Sequence, residues 1–253
     1  MSGFPFDGSL AGILMLVAIL FCAGFVRGYS GFGSSAVIIT ALAPFASPSA
    51  IVPVTVLLEI LASILMVRGT RGHLDWSVFR LVVIGALIGS PLGLAAHFYV
   101  SETTIKLLIQ GFVLAFALAL LAGWTLKRPP GPVGTLGVGA LSGVANTAAS
   151  LGGLPVALFF VAGNNSPNML RATMVSFFFF VNAVSVALLL SAGIMTAESF
   201  KTLALWGLPV IIGVYAGGKH FLGASPQTFR RVVLSLLITL AVTGIARTIW
   251  DLI

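Results

Sequence analysis

Long apolar runs dominate the chain: Leu10 to Phe25, Ile51 to Val67, Leu81 to Val100, Leu107 to Leu126, Met169 to Ala192, Leu203 to Tyr215 and Val232 to Ile249. Most approach the roughly 20 residues that an apolar helix needs to cross a bilayer, where a segment must satisfy its own backbone groups. With 58% hydrophobic and 8% charged residues and a mean hydropathy of +1.13, the composition excludes a soluble globular domain. A β-barrel would alternate apolar and polar residues over about ten positions, and no such alternation is present. The chain reads as an all-α, multi-pass integral membrane protein whose surroundings are the lipid bilayer.

Two of the apolar stretches are interrupted by glycine, Gly24 to Ala46 and Gly143 to Asn165. The first contains Arg27-Gly28-Tyr29-Ser30-Gly31-Phe32-Gly33-Ser34-Ser35; the second contains Asn146-Thr147-Ala148-Ala149-Ser150-Leu151-Gly152-Gly153-Leu154-Pro155. The short segments that follow, Ser34 to Phe45 and Leu154 to Gly163, rise at most about 20 Å as helix, against a hydrocarbon core of roughly 30 Å. They are expected as half-helices, re-entrant or crossing with help. Interrupted segments at corresponding places in two halves of a membrane protein mark where transporters hold substrate.

The halves themselves correspond. Sliding the chain by about 119 positions places Gly24 on Gly143, Gly33 on Gly152, Ser47-Pro48 on Ser166-Pro167, and Ser63 on Asn182. Identity is weak, and a chance match of two glycine-rich halves is the competing reading. The expected organisation is two inverted five-segment helical repeats, residues 1–126 and 133–253, joined by a stiff cytoplasmic hinge at 127–132, the whole forming one membrane domain. Each repeat carries a glycine-broken segment and a short half-helix.

Charge sets the orientation. Arg68, Arg71 and Arg80, then Lys127 and Arg128, place the loop after the third segment and the hinge in the cytoplasm. In the second half the basic cluster moves to Lys219, His220, Arg230 and Arg231, in the loop equivalent to the nearly neutral stretch from Tyr99 to Thr103. One loop thus faces opposite sides in the two halves, so both termini are expected outside the cytoplasm of a bacterial-type inner membrane. Met1 to Asp7 carries no basic residue, and the first run is expected as a retained helix rather than a signal peptide. The excess of 13 Lys and Arg over 6 Asp and Glu is then a property of cytoplasmic loops, and nucleic acid is not an expected partner.

The residues at the breaks suit an anion. Gly28, Gly31, Gly33, Gly152 and Gly153 strip side chains from backbone that can present amides at the start of a half-helix, where the dipole is positive. Ser30, Ser34, Ser35 and Ser150 add hydroxyl donors. Close helix packing is the alternative use of Gly24 and Gly28. Arg27, inside the first break, offers a planar five-donor fork to an oxyanion, or snorkels to an interface. Arg171 opens the helix after the second break, as a substrate contact or an interfacial anchor. Glu59, in the middle of an apolar run, must pair or be protonated; it either neutralises Arg27 structurally or carries a coupling proton. Asn146 stands where the first half has Arg27, and Asn182 polarises the equivalent of the helix bearing Glu59.

Other chemistries find no support. The single cysteine, Cys22, excludes an internal disulfide. No spacing of His, Asp, Glu or Cys resembles a metal site or a nucleophilic triad, so no metal, no cofactor and no enzymatic activity are expected. His97 and His220 lie near helix ends, and Phe177 to Phe180 covers every face of a helical turn; neither group is assigned to the site.

At Ala23-Gly24-Phe25-Val26-Arg27-Gly28-Tyr29-Ser30-Gly31-Phe32-Gly33 with Leu57-Leu58-Glu59, and at Ser142-Gly143 through Leu151-Gly152-Gly153-Leu154-Pro155 with Leu170-Arg171-Ala172-Thr173, the chain resembles the sulfite exporter TauE/SafE family of toluenesulfonate-uptake-permease-like anion transporters. The resemblance covers essentially the whole chain. It implies a small inner-membrane permease for sulfite, sulfoacetate or other organosulfonates. Many members carry three or more glycines at each break, whereas this chain has Gly33-Ser34-Ser35 and only Gly152-Gly153. The expected function is a secondary transporter, an exporter, working by alternating access around a midplane site; an anion-selective channel is the alternative. Substrate identity, transport direction, coupling ion and oligomeric state are not encoded in these motifs.

Overall fold

The computed structural model describes residues 9–67, 74–124, 130–163, 166–220 and 226–250. Arg68, Arg71, Lys127, Arg128 and Asn165, on which part of the orientation and break assignments rest, lie outside the described residues, as do the side chains of Arg230 and Arg231. The described residues form ten helices and no strand: α1 Leu10–Ser30, α2 Ser34–Leu42, α3 Pro48–Met66, α4 Trp76–Tyr99, α5 Glu102–Leu121, α6 Pro132–Ala149, α7 Gly153–Ala162, α8 Pro167–Ser191, α9 Ala197–His220 and α10 Pro226–Trp250. Six of them, α1, α3, α4, α5, α8 and α9, are long and apolar enough to cross a membrane.

Helix starts follow local chemistry. Ser9 caps α1 by accepting from Gly12 N, Ser101 caps α5 by accepting from Thr104 N, and Ser166 caps α8 by accepting from Met169 N. Asp75 accepts from Ser77 N and Val78 N at the start of α4. Each side chain meets an amide that the first turn cannot pair internally. Proline opens α3, α6 and α8, where its missing donor costs nothing.

The breaks are narrower than the sequence suggests. α1 runs unbroken through Gly24, Arg27 and Gly28 as far as Ser30, and only residues 31–33 leave the helix. α6 likewise runs through Gly143 and Asn146 to Ala149, leaving 150–152 as the interruption. α2, at 9 residues, rises about 14 Å. It folds back beside α1, since Val37, Thr40, Ala41 and Pro44 share a groove with Met15, Ala18, Ile19 and Cys22.

The most extensive contacts join α4 to α6 and α1 to α9. Both are glycine crossings. A Cβ at Gly24 would lie 2.4 Å from Val210 O and one at Gly28 2.1 Å from Val214 O, while Gly213 and Gly217 press in turn on Phe21 O and Phe25 O. On the other pair, Gly85, Gly89 and Gly93 meet the carbonyls of Leu136, Ala140 and Val144, and Gly139 and Gly143 meet those of Val82 and Ala86. Without side chains the backbones approach within reach of Cα–H···O contacts, the packing favoured where lipid removes the hydrophobic drive between helices. The central core, with Leu16, Leu20, Val26, Ile38, Ile39, Leu42, Val52 and Leu58, surrounds the first break.

Candidate functional site

Arg27 lies in the last turn of α1 and is completely buried, with 0% of its surface exposed. Its side chain turns inward rather than to an exposed surface. Nη1 donates to Gly31 O at 2.6 Å and Nη2 to Ser63 Oγ at 2.8 Å, and Nη1 stands 3.4 Å from Glu59 Oε2. The guanidinium carbon sits 4.1 Å above the centre of the Phe178 ring, a cation–π contact strengthened by desolvation. Nε has no hydrogen-bond partner among the described residues.

Glu59, in the middle of α3 and 1% exposed, faces the start of α2. Its Oε1 accepts from the Ser34 hydroxyl and from the Ser35 amide at 2.9 Å. The carboxylate therefore occupies the positive end of the α2 dipole, the place where a helix start receives an anion. Ser63, one turn along α3, donates to Glu59 O at 2.8 Å while accepting from Arg27. Arg27 thus closes the carbonyl end of α1 and Glu59 the amide end of α2, satisfying polar backbone that a bilayer interior would not.

Glycine geometry makes this junction possible. Gly31, the C-cap of α1, has φ 84°, and Gly33, the N-cap of α2, has φ 92°, both in the left-handed region that glycine enters without penalty. Ser30 Oγ accepts from Phe32 N, and its one proton is shared between Val26 O at 2.7 Å and Phe32 O at 2.6 Å, locking the turn rather than pointing at Arg27. Gly28 combines two duties: its Cα packs on Val214, and its carbonyl accepts from Arg171 Nη2 at 2.7 Å. Arg171 is partly buried at the edge of the first break, where its side chain also abuts Gly31.

The second break is neutral. Asn146 Nδ2 donates to Asn182 Oδ1 at 2.8 Å and to Ser185 Oγ at 3.0 Å, and Thr147 Oγ1 lies 2.9 Å from Ser185 Oγ. Ser150 takes the role of Gly31 as the C-cap of α6 and adopts φ 56°, a left-handed serine. Its hydroxyl is buried, and together with Asn146 Oδ1 and Asn182 Nδ2 it lacks a hydrogen-bond partner among the described residues. Gly152 lies against Ser142 O and Asn146, and Gly153 against the Phe178 ring.

The structure gathers Arg27, Gly31, Ser34, Ser35 and Glu59 into one buried cluster, and Asn146 and Asn182 into another. Arg171 joins the first at its rim. Sequence reasoning left out Ser63 and Phe178, which touch Arg27, and Thr147 and Ser185, which extend the Asn146 network. The repeat spacing carried the missing signal: about 119 positions separate Glu59 from Phe178 as they do Ser63 from Asn182. His97 is half-buried, its Nε2 3.1 Å from Thr147 O, and His220 is exposed beside the Phe25 ring. Among the described residues no group of three or more His, Cys, Asp and Glu side chains could hold a metal.

A family model described as Sulfite exporter TauE/SafE matches residues 16–244, most of the chain and both breaks. No curated protein and no solved structure matches it.

Proposed function

The chain belongs to the sulfite exporter TauE/SafE family, and from that premise we propose a secondary transporter that exports small sulfur-containing anions such as sulfite, sulfoacetate or other organosulfonates. The family is one of membrane transporters rather than enzymes. In the proposed arrangement two inverted five-helix repeats, residues 1–126 and 133–253, rock about a site where the two breaks face each other. Support for the repeats comes from exchanged packing: helix one of each half lies along helix four of the other, α1 on α9 and α6 on α4.

One observation carries the reading. A carboxylate is already held by the Ser34 hydroxyl and the Ser35 amide, with a fully buried arginine beside it. Glu59 there shows that these donors accept an anionic oxygen, the feature a sulfite or sulfonate group shares with a carboxylate. Substrate binding replaces one anion by another on the same donors. Arg171, bonded to Gly28 O at the rim, provides a second cation on the way to Arg27. Ser150, Gly152, Gly153, Asn146 and Asn182 would form the uncharged wall. A bacterial-type inner membrane with both termini outside the cytoplasm fits this reading.

Flux of radiolabelled sulfite or methanesulfonate into proteoliposomes tests it. Arg27→Lys keeps the charge but loses the fork, and is expected to reduce saturable flux at least about tenfold, on the scale of one lost charge-assisted bond of roughly 1.5–3 kcal/mol. In the same assay Glu59→Gln should no longer respond to an imposed pH gradient. Wild-type flux in Arg27→Lys would sink the assigned role, and a non-saturating current would favour an anion-selective channel instead.

A further inference from the structure

The start of each half-helix is covered by a side chain from the equivalent position of the next helix. On α2 it is Glu59, on α7 it is Phe178, and the same spacing of about 119 positions relates Ser34 to Gly153 and Arg27 to Asn146. Where Ser34 reaches Glu59 with a hydroxyl, Gly153 has no side chain, and the Phe178 ring fills the space. A Cβ at Gly153 would lie 2.2 Å from Phe178 Cζ. The ring is fully buried. Its edge rests on the first residue of α7 while its face carries the Arg27 guanidinium.

That dual contact separates Phe178 from the other buried aromatics. Phe177 and Phe160 are as deeply buried; Phe178 is the ring stacked beneath the cation of the charged break. Ser150 Oγ and Asn182 Nδ2, both buried in the neutral half and without partners among the described residues, mark that half as polar wall with donor capacity to spare. An anionic head paired with Arg27 would be held by a guanidinium that rests on this ring, beside the α7 start that the ring's edge covers.

We propose that Phe178 is the specificity-determining residue of the anion site, setting by its bulk the size of the group that can accompany the anionic head. The proposal rests on the transport reading above and adds to it which side chain discriminates. A charged head is recognised by the first break and its substituent by the second. Phe178 is thus a sieve, and Glu59 and Arg27 are the anion-handling pair.

Competition assays on the reconstituted full chain test this, with sulfite, methanesulfonate and propane-1-sulfonate as probes. Phe178→Ala should raise the propanesulfonate-to-sulfite ratio at least about tenfold, since one methylene in a fitted pocket is worth 10- to 200-fold in selectivity. Phe178→Trp should lower it. Phe178→Leu is the conservative variant should Ala not fold, and moves the ratio in the same direction as Ala. Phe177→Leu serves as the buried control and should leave the ratio unchanged. Equal scaling of all three probes in every Phe178 variant, with wild-type transport intact, would overturn the sieve alone. Failure of the wild type to move any of the three would overturn the transport reading together with it.

Discussion

A charged pair in a membrane interior is costly unless both partners gain hydrogen bonds. Arg27 and Glu59 gain them from backbone that needs partners anyway: the Gly31 carbonyl on one side and the Ser35 amide on the other. Their direct separation of 3.4 Å is longer than that of a tight ion pair, so the break is held through its caps more than through the salt bridge. Ser150 is the strained counterpart. A left-handed non-glycine residue costs about 1–2 kcal/mol, and here it also buries an unpartnered hydroxyl. Ser150→Gly is therefore expected to stabilise the protein by up to about 1 kcal/mol, after glycine's own entropic cost of roughly 0.5–1 kcal/mol, read as a raised thermal midpoint in detergent. Ser150→Ala keeps the strain and should not be stabilised in the same way. A lower midpoint for the glycine variant would remove the strain argument. If the hydroxyl contacts substrate, both variants lose flux, the pattern of strain retained at a functional site. At this scale the sequence was legible where a residue is chemically out of place: an arginine and a glutamate in apolar runs. Phe178 looked like any core aromatic, because only a neighbouring cation distinguishes it.

Among elements, the half-helices were readable from length, and their observed spans of Ser34–Leu42 and Gly153–Ala162 lie close to the expected ones. The positions of the breaks were not. Gly24, Gly28 and Gly143 weaken a helix as any glycine does, but here they remain helical because a carbonyl of a partner helix sits where their Cβ would be. One residue type encodes both a bend and a close crossing, and the choice between them depends on a helix distant in sequence. The same contacts separate two substitutions of identical chemistry. Gly89→Ala places a methyl 2.0 Å from Ala140 O, so α4 and α6 must part, at a cost of about 1–3 kcal/mol for an overpacked contact. Gly111→Ala, on α5 with nothing within 4 Å, should gain roughly 0.5–1 kcal/mol of helix propensity. Thermal midpoints moving in opposite directions would support the crossing; equal shifts would contradict it.

Across the whole molecule, the exchanged pairs α1 with α9 and α4 with α6 tie each half to the other, so neither half buries its glycine faces alone. The fold class was legible from hydropathy because the bilayer leaves helices as the only economical form for such runs. The orientation of the halves relative to the membrane rests on loop charge alone, and much of that charge lies on residues outside the described set. The proposed inverted arrangement makes a specific demand: the α4–α5 connection and the end of α9, equivalent places in the two proposed repeats, must face opposite sides. Cys22 is the only cysteine, so a Cys22→Ser background gives a clean reporter. In intact cells Ser101→Cys, exposed at the start of α5, should react with a membrane-impermeant maleimide. His220→Cys, exposed at the end of α9, should react only after permeabilisation, because the basic residues around it favour the cytoplasmic face. Labelling of both positions from one side would make the repeats parallel. The two half-helices would then enter from the same face, the charged and neutral breaks could not oppose each other, and a shared site open to each side in turn would have to be abandoned.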